Sequence, residues 1–104
     1  MYIFLKDSFL SIVRDRTNKK NLFLRARFDG DIECIFPSAK STHTPLVDYA
    51  YRASVDASTV AMTISERIRK IDYDNFKDSV SAERGSVYFT VWQILRQAQA
   101  MRRL

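Results

Sequence analysis

The stretch Leu22-Phe23-Leu24-Arg25-Ala26-Arg27-Phe28 constrains this chain more than any other. Leu22, Leu24, Ala26 and Phe28 alternate with Phe23, Arg25 and Arg27, the period of a strand with one buried face. Its other face carries an aromatic ring and two guanidinium groups, which a protein interior does not accept without partners. The rest of the chain must supply neighbours for this strand and cover its apolar side.

On the N-terminal side, Phe9, Ser11 and Val13 share one face of a second alternating stretch, with Leu10 and Ile12 on the other. Leu5, Phe9, Ile12 and Val13 also fit helical spacing. The strand is the better reading, because a hairpin with the first stretch can close across the polar residues 16–21. Residues 1–5 form a short apolar run and a candidate further strand. On the C-terminal side, Asp29-Gly30-Asp31 ends the strand and offers a helix cap. Ile32, Ile35 and Phe36 then follow at helical spacing as far as Pro37. Residues 38–45 read as a loop. A third main strand is expected over residues 48–55, with Tyr49, Tyr51, Ala53 and Val55 on one face and Ala50, Arg52 and Ser54 on the other.

Asp56 is a good cap for an amphipathic helix whose apolar stripe is Val60, Ile64, Ile68 and Ile71, with Glu66, Arg67, Arg69 and Lys70 turned outward. Residues 72–80 have no period and read as an ordered loop, with Tyr73, Phe76 and Val80 dipping inward. A last helix, expected to start near Gly85, carries Val87, Val91, Ile94, Leu95, Ala98 and Met101, with Trp92 at the edge of the stripe. The order β-β-β-α-β-α-α predicts an α+β fold: a small, mainly antiparallel sheet covered on one face by the two longer helices. A β-hairpin plus a right-handed β-α-β crossover would make it a ferredoxin-like relative, by analogy alone. Only two glycines and two prolines leave little material for a linker, so residues 1–104 are expected to form one domain.

Lysine and arginine number 17 against 12 acidic residues, a net charge of +5 that admits nucleic acid or an acidic protein as partner. The single cysteine, Cys34, excludes an internal disulfide and a multi-cysteine zinc site, and suits a reducing compartment. The first apolar run is interrupted by Lys6 and Asp7 and has no basic start, so it does not read as a signal peptide. No apolar stretch approaches the ~18–20 residues of a membrane span. A cytoplasmic protein without a membrane partner is the expectation.

The chain resembles a family of small uncharacterised bacterial and prophage-borne proteins. The resemblance rests on residues 4–13 (FLKDSFLSIV), on Leu24-Arg25-Ala26-Arg27, and on Gly30-Asp31-Ile32-Glu33 with Phe36-Pro37. It extends to residues 71–80 (IDYDNFKDSV) and to Val91-Trp92, so it covers most of the chain. The chain departs from members with an Arg-His-Asp-like segment before the last helix, since Glu83-Arg84-Gly85-Ser86 stands there. The family has no assigned function, and no functional residue is carried over. A prophage setting implies one role, inhibition of a host complex.

Several residues could carry function. Phe23, Arg25 and Arg27 share a strand face that Arg52 could join, a mixture suited to phosphates and stacked bases of single-stranded RNA or DNA. The basic-Gly-aromatic-Gly segment of sheet-borne RNA binders is absent, and the structural alternative is a solvated face whose arginines pair with Asp15, Asp29 or Glu33. Arg14, Arg16, Lys19 and Lys20 form a charged hairpin tip, which serves solubility as readily as binding. His43 and Cys34 would need a third group to orient the imidazole; a buried inert thiol and an exposed loop histidine are the plainer readings. Asp72, Asp74, Asp78 and Glu83 echo a calcium loop, but Phe76 occupies a ligand position and Lys77 stands where the turn glycine belongs. No phosphate-cradling glycine loop and no catalytic triad motif occurs. The expected function is therefore a non-enzymatic binding module with no catalytic residue, no metal, no cofactor and no small-molecule substrate. Its partner is expected to be a protein, or itself as a homodimer, with nucleic acid the alternative. Tyr49, Tyr51, Tyr88 and Trp92 exceed what a core of this size needs, and aromatics with arginine are typical of interface centres.

Overall fold

The computed structural model describes residues 1–102, which group into two compact units, Met1–Asp72 and a second from Tyr73 onward. The first unit contains β1 (Tyr2–Leu5), β2 (Ser8–Arg14), β3 (Asn21–Ala26), α1 (Asp31–Ile35), β4 (Thr42–His43), β5 (Tyr51–Asp56) and α2 (Ala57–Arg69). The strands form one sheet in the order β1-β2-β3-β5-β4, antiparallel at every pairing. This is the small α+β fold that the sequence predicts.

The central strand is placed as expected. Leu24 lies opposite Ile12 of β2 and Ala53 of β5, and all three are buried. Leu10, Ile12, Leu24, Ala26 and Ala53 face α1 and α2, which add Ile32, Ile35 and Val60 to a single core, closed by Phe36 just beyond α1. The strand stops at Ala26, however, and Phe28, expected in its apolar row, is exposed.

The expected β-α-β crossover is absent. Ala26, at the end of β3, lies opposite Tyr51, at the start of β5, so the chain returns to the same end of the sheet. That return makes the two strands antiparallel and removes the ferredoxin-like connectivity. The intervening segment starts at Gly30, whose φ of 86° is the left-handed conformation that glycine adopts at least cost. Asp31 then buries its carboxylate, which accepts from the Phe9 amide at 3.0 Å, while its carbonyl accepts from the Ser8 hydroxyl at 2.9 Å. These two bonds fasten α1 to β2.

Asp56 caps α2 as its position suggests, its side chain accepting from the Thr59 amide at 3.0 Å. The helix buries only the start of its stripe. Val60 is in the core and Ile64 packs against it, whereas Ile68 is 60% exposed and Ile71, past the helix end, 52%. The spacing alone could not show that the sheet beneath ends after two turns. Arg67 forms an ion pair with Asp7 in the turn between β1 and β2.

Residues 72–80, all but Asp72 in the second unit, are not wholly a loop. Asn75 caps α3 (Phe76–Ser79) by accepting from the Lys77 amide at 3.0 Å. Phe76 packs against Tyr73, with ring centres 5.8 Å apart, and against Tyr88 of α4 (Ala82–Ala100), at 5.9 Å. Ser81 caps α4, which starts three residues before Gly85 and carries that glycine inside it. A capping serine with Glu83 in the first turn outweighs the ~1 kcal/mol that an interior glycine costs. Much of the expected stripe of α4 is exposed, and within the first unit the helices packed on the sheet are α1 and α2. Among the described residues, no helix is long and apolar enough to cross a membrane.

Candidate functional site

Alternation along the strands puts a second set of side chains on the face away from α1 and α2. Val13, Phe23 and Ser54 form one row across β2, β3 and β5, and Ser11, Arg25 and Arg52 form the next. From β1, Tyr2 extends the second row opposite Ser11, and Phe4 pairs with Phe9 to begin a third. Phe4 stacks on Phe9 with ring centres 4.5 Å apart, and Tyr2 meets Phe9 edge-on at 5.8 Å. The strands therefore place four aromatic side chains on this face, Tyr2, Phe4, Phe9 and Phe23, two more than alternation along β2 and β3 assigns to it. Phe9 shares the face of Ser11 and Val13 on β2, as alternation predicts, and the pairing of β1 with β2 brings in Tyr2 and Phe4, whose four-residue strand is too short for its period to declare a face.

Arg25, Arg27 and Arg52 are organised around a residue from the loop before β5. Tyr49 was expected within that strand, on the face of Tyr51. It instead precedes it with a φ of 53°, in the left-handed region, and is only 4% exposed. The reversal carries its ring to the arginines. Arg25 and Arg27 place their guanidinium carbons 4.5 Å and 4.0 Å from the ring centre, within cation–π range. Arg52 donates to the Tyr49 carbonyl at 3.0 Å and to the Asp48 carbonyl at 2.8 Å. Arg27 also pairs with the Asp48 carboxylate at 2.7 Å, which holds that carboxyl below its ordinary value and raises the guanidinium. The hydrogen bond between Tyr2 and Tyr49 raises the Tyr2 phenol. Asp48 is thus the acidic partner on this face, in place of Asp15, Asp29 or Glu33. Arg25 donates to the Ser11 hydroxyl at 2.9 Å, and its Nε is buried without a hydrogen-bond partner.

Toward the other end of the face the side chains are less engaged. A cavity of about 520 Å³ opens over Val13 and Phe23, bounded by Arg25 on the sheet and by Arg14 and Arg16 at the hairpin. Asp15 and Thr17 also line it. One oxygen of Asp15 accepts from the Thr17 amide and hydroxyl, both at 2.9 Å, and from the Asn18 amide at 3.2 Å. Its other oxygen accepts from the Ser54 hydroxyl. Ser54 and Thr17 together hold the Asp15 carboxyl down at about 2. The carboxylate is thereby spent on shaping the turn. Arg14, Lys19 and Lys20 are exposed, and among the described residues none of them forms an ion pair.

The remaining candidates are dispersed. His43, on β4, stacks on Tyr51 at 4.5 Å with nearly parallel rings. Cys34 was expected to be buried, but the residue is exposed on the short helix α1. Partial burial of its sulfur, with the Asp7 carboxylate nearby, pushes the thiol up, away from the reactive thiolate. Among the described residues, no three His, Cys, Asp or Glu side chains gather as a metal ion would require. On α4, Trp92 stacks with Phe89 at 5.4 Å and lies 4.7 Å from the Lys77 ammonium. Compared with known proteins, the chain matches no family model, no curated protein and no solved structure.

Proposed function

We propose that this chain is a non-enzymatic binding module whose partner is a protein, and that the partner is a second copy of the chain joined through α4. The observation that carries the reading is the exposure of the apolar stripe on that helix. Val87 is 50% exposed, Ile94 60%, Leu95 55% and Met101 66%. Scattered exposed apolar residues are ordinary, but a continuous patch of this kind on a soluble protein marks an interaction surface. The stripe also has a specific period. Val87, Val91, Ile94, Ala98 and Met101 alternate spacings of four and three, the repeat by which two helices interdigitate along a common seam. No charge falls on these five positions, and a two-fold pairing of identical surfaces is the commonest form of association.

Light scattering coupled to size exclusion, run over a hundredfold range of concentration, tests this. A mass of two chains is expected, falling to one in Ile94→Asp while the circular dichroism of the folded chain is retained. A single-chain mass at every concentration would remove α4 as a self-association surface.

A further inference from the structure

The cavity over Val13 and Phe23 combines features that the rest of the sheet face lacks. Val13 and Phe23 are direct cross-strand neighbours, so their side chains form an apolar floor with one flat ring. Arg14, Arg16 and Arg25 line the cavity, and among the described residues none of the three is in an ion pair. Arg25 keeps a buried Nε without a hydrogen-bond acceptor, a costly state for a charged group. The one acid in the lining, Asp15, already accepts from four donors and has little left for an arginine.

We propose that this cavity binds a nucleotide unit, with the base on Phe23 and the phosphate among Arg14, Arg16 and Arg25. The argument is independent of α4. Three guanidinium groups offer more donors than one carboxylate can use, whereas a phosphate presents several acceptor oxygens and a larger charge. An aromatic floor adds what a bare anion does not need, a surface on which a planar ring stacks without regard to its sequence. The volume, about 520 Å³, lies within the range of small-ligand sites. Lys19 and Lys20 extend the positive charge beyond the cavity along the same hairpin tip, so a longer strand would find further phosphate contacts there. The ligand chemistry is the same whether the nucleotide is free or part of a single strand.

Fluorescence anisotropy of a labelled oligothymidylate at low and moderate salt tests the proposal, with thymidine monophosphate and inorganic phosphate as competitors. Binding should weaken steeply as salt rises, because each neutralised phosphate releases counterions. Phe23→Ala should weaken binding about 5- to 150-fold with the salt slope unchanged, and Phe23→Leu, which keeps apolar bulk without the ring, should do the same. Arg16→Ala should weaken binding and reduce the slope by about one. Displacement of the oligonucleotide by the monophosphate identifies a free nucleotide as sufficient; resistance to it identifies the strand. No binding at low salt by the folded protein would overturn the proposal. So would affinity unchanged from the parent protein in both Phe23 variants, or competition by inorganic phosphate as strong as by the monophosphate.

Discussion

Replacing Tyr49 tests how the sheet face is organised, because this residue combines deep burial with a backbone conformation that its side chain disfavours. Its ring is 4% exposed and lies within 4.5 Å of two guanidinium carbons. Truncating a buried aromatic to alanine costs about 3–5 kcal/mol, and the lost cation–π contacts fall largely within that sum. The backbone adds a second effect of opposite sign. At a φ of 53° an L-residue bears about 1–2 kcal/mol of left-handed strain, which alanine keeps and glycine removes. Glycine also gives the unfolded chain more freedom, worth about 0.4–1 kcal/mol against it. The balance leaves Tyr49→Gly about 0.5–1 kcal/mol more stable than Tyr49→Ala, the reverse of the order at an ordinary position. Urea unfolding followed by far-ultraviolet circular dichroism measures both. Alanine equal to or better than glycine would refute the left-handed placement, and a loss below about 1 kcal/mol for either would refute the burial.

Two further outcomes check the sheet and its turn. Leu24→Ala should cost about 3–5 kcal/mol by leaving a cavity against α1 and α2, whereas Phe23→Ala, one residue earlier and only partly buried on the other face, should cost clearly less. Equal urea midpoints for the two would reverse the face assignment. The Asp15 carboxyl, held at about 2 in the folded state, contributes stability that is fully present above its unfolded value near 4 and is lost as pH falls through 2. Thermal melts between pH 5 and pH 2 should therefore fall less in Asp15→Asn than in the parent protein, and parallel curves would show that the carboxylate does not hold the turn.

Local physical chemistry in the sequence determined much of the framework. Period-two alternation assigned Leu24 and Ala26 to the core face and Phe23 and Arg25 to the other, because side chains of a strand can point only two ways. Asp56 marked the start of α2 because its carboxylate answers an amide three residues away, and a cap needs nothing more distant. Alternation does not say which strand lies alongside. The direction of β5 against β3, the recruitment of Tyr2 and Phe4 to the open face, and the end of cover beneath Ile68 all depend on pairings between distant segments. The candidate sites divide in the same way. Phe23 and Arg25 were legible as a face, but the acids offered as partners were those nearby in sequence, and Asp48 lies 21 residues from Arg27. Tyr49 was misplaced because a single residue in the left-handed region flips a side chain to the opposite face, and nothing in a tyrosine signals that conformation. The tertiary structure alone decided which arginines are held and which remain open, since a guanidinium takes its partners from whatever the folded chain brings within reach.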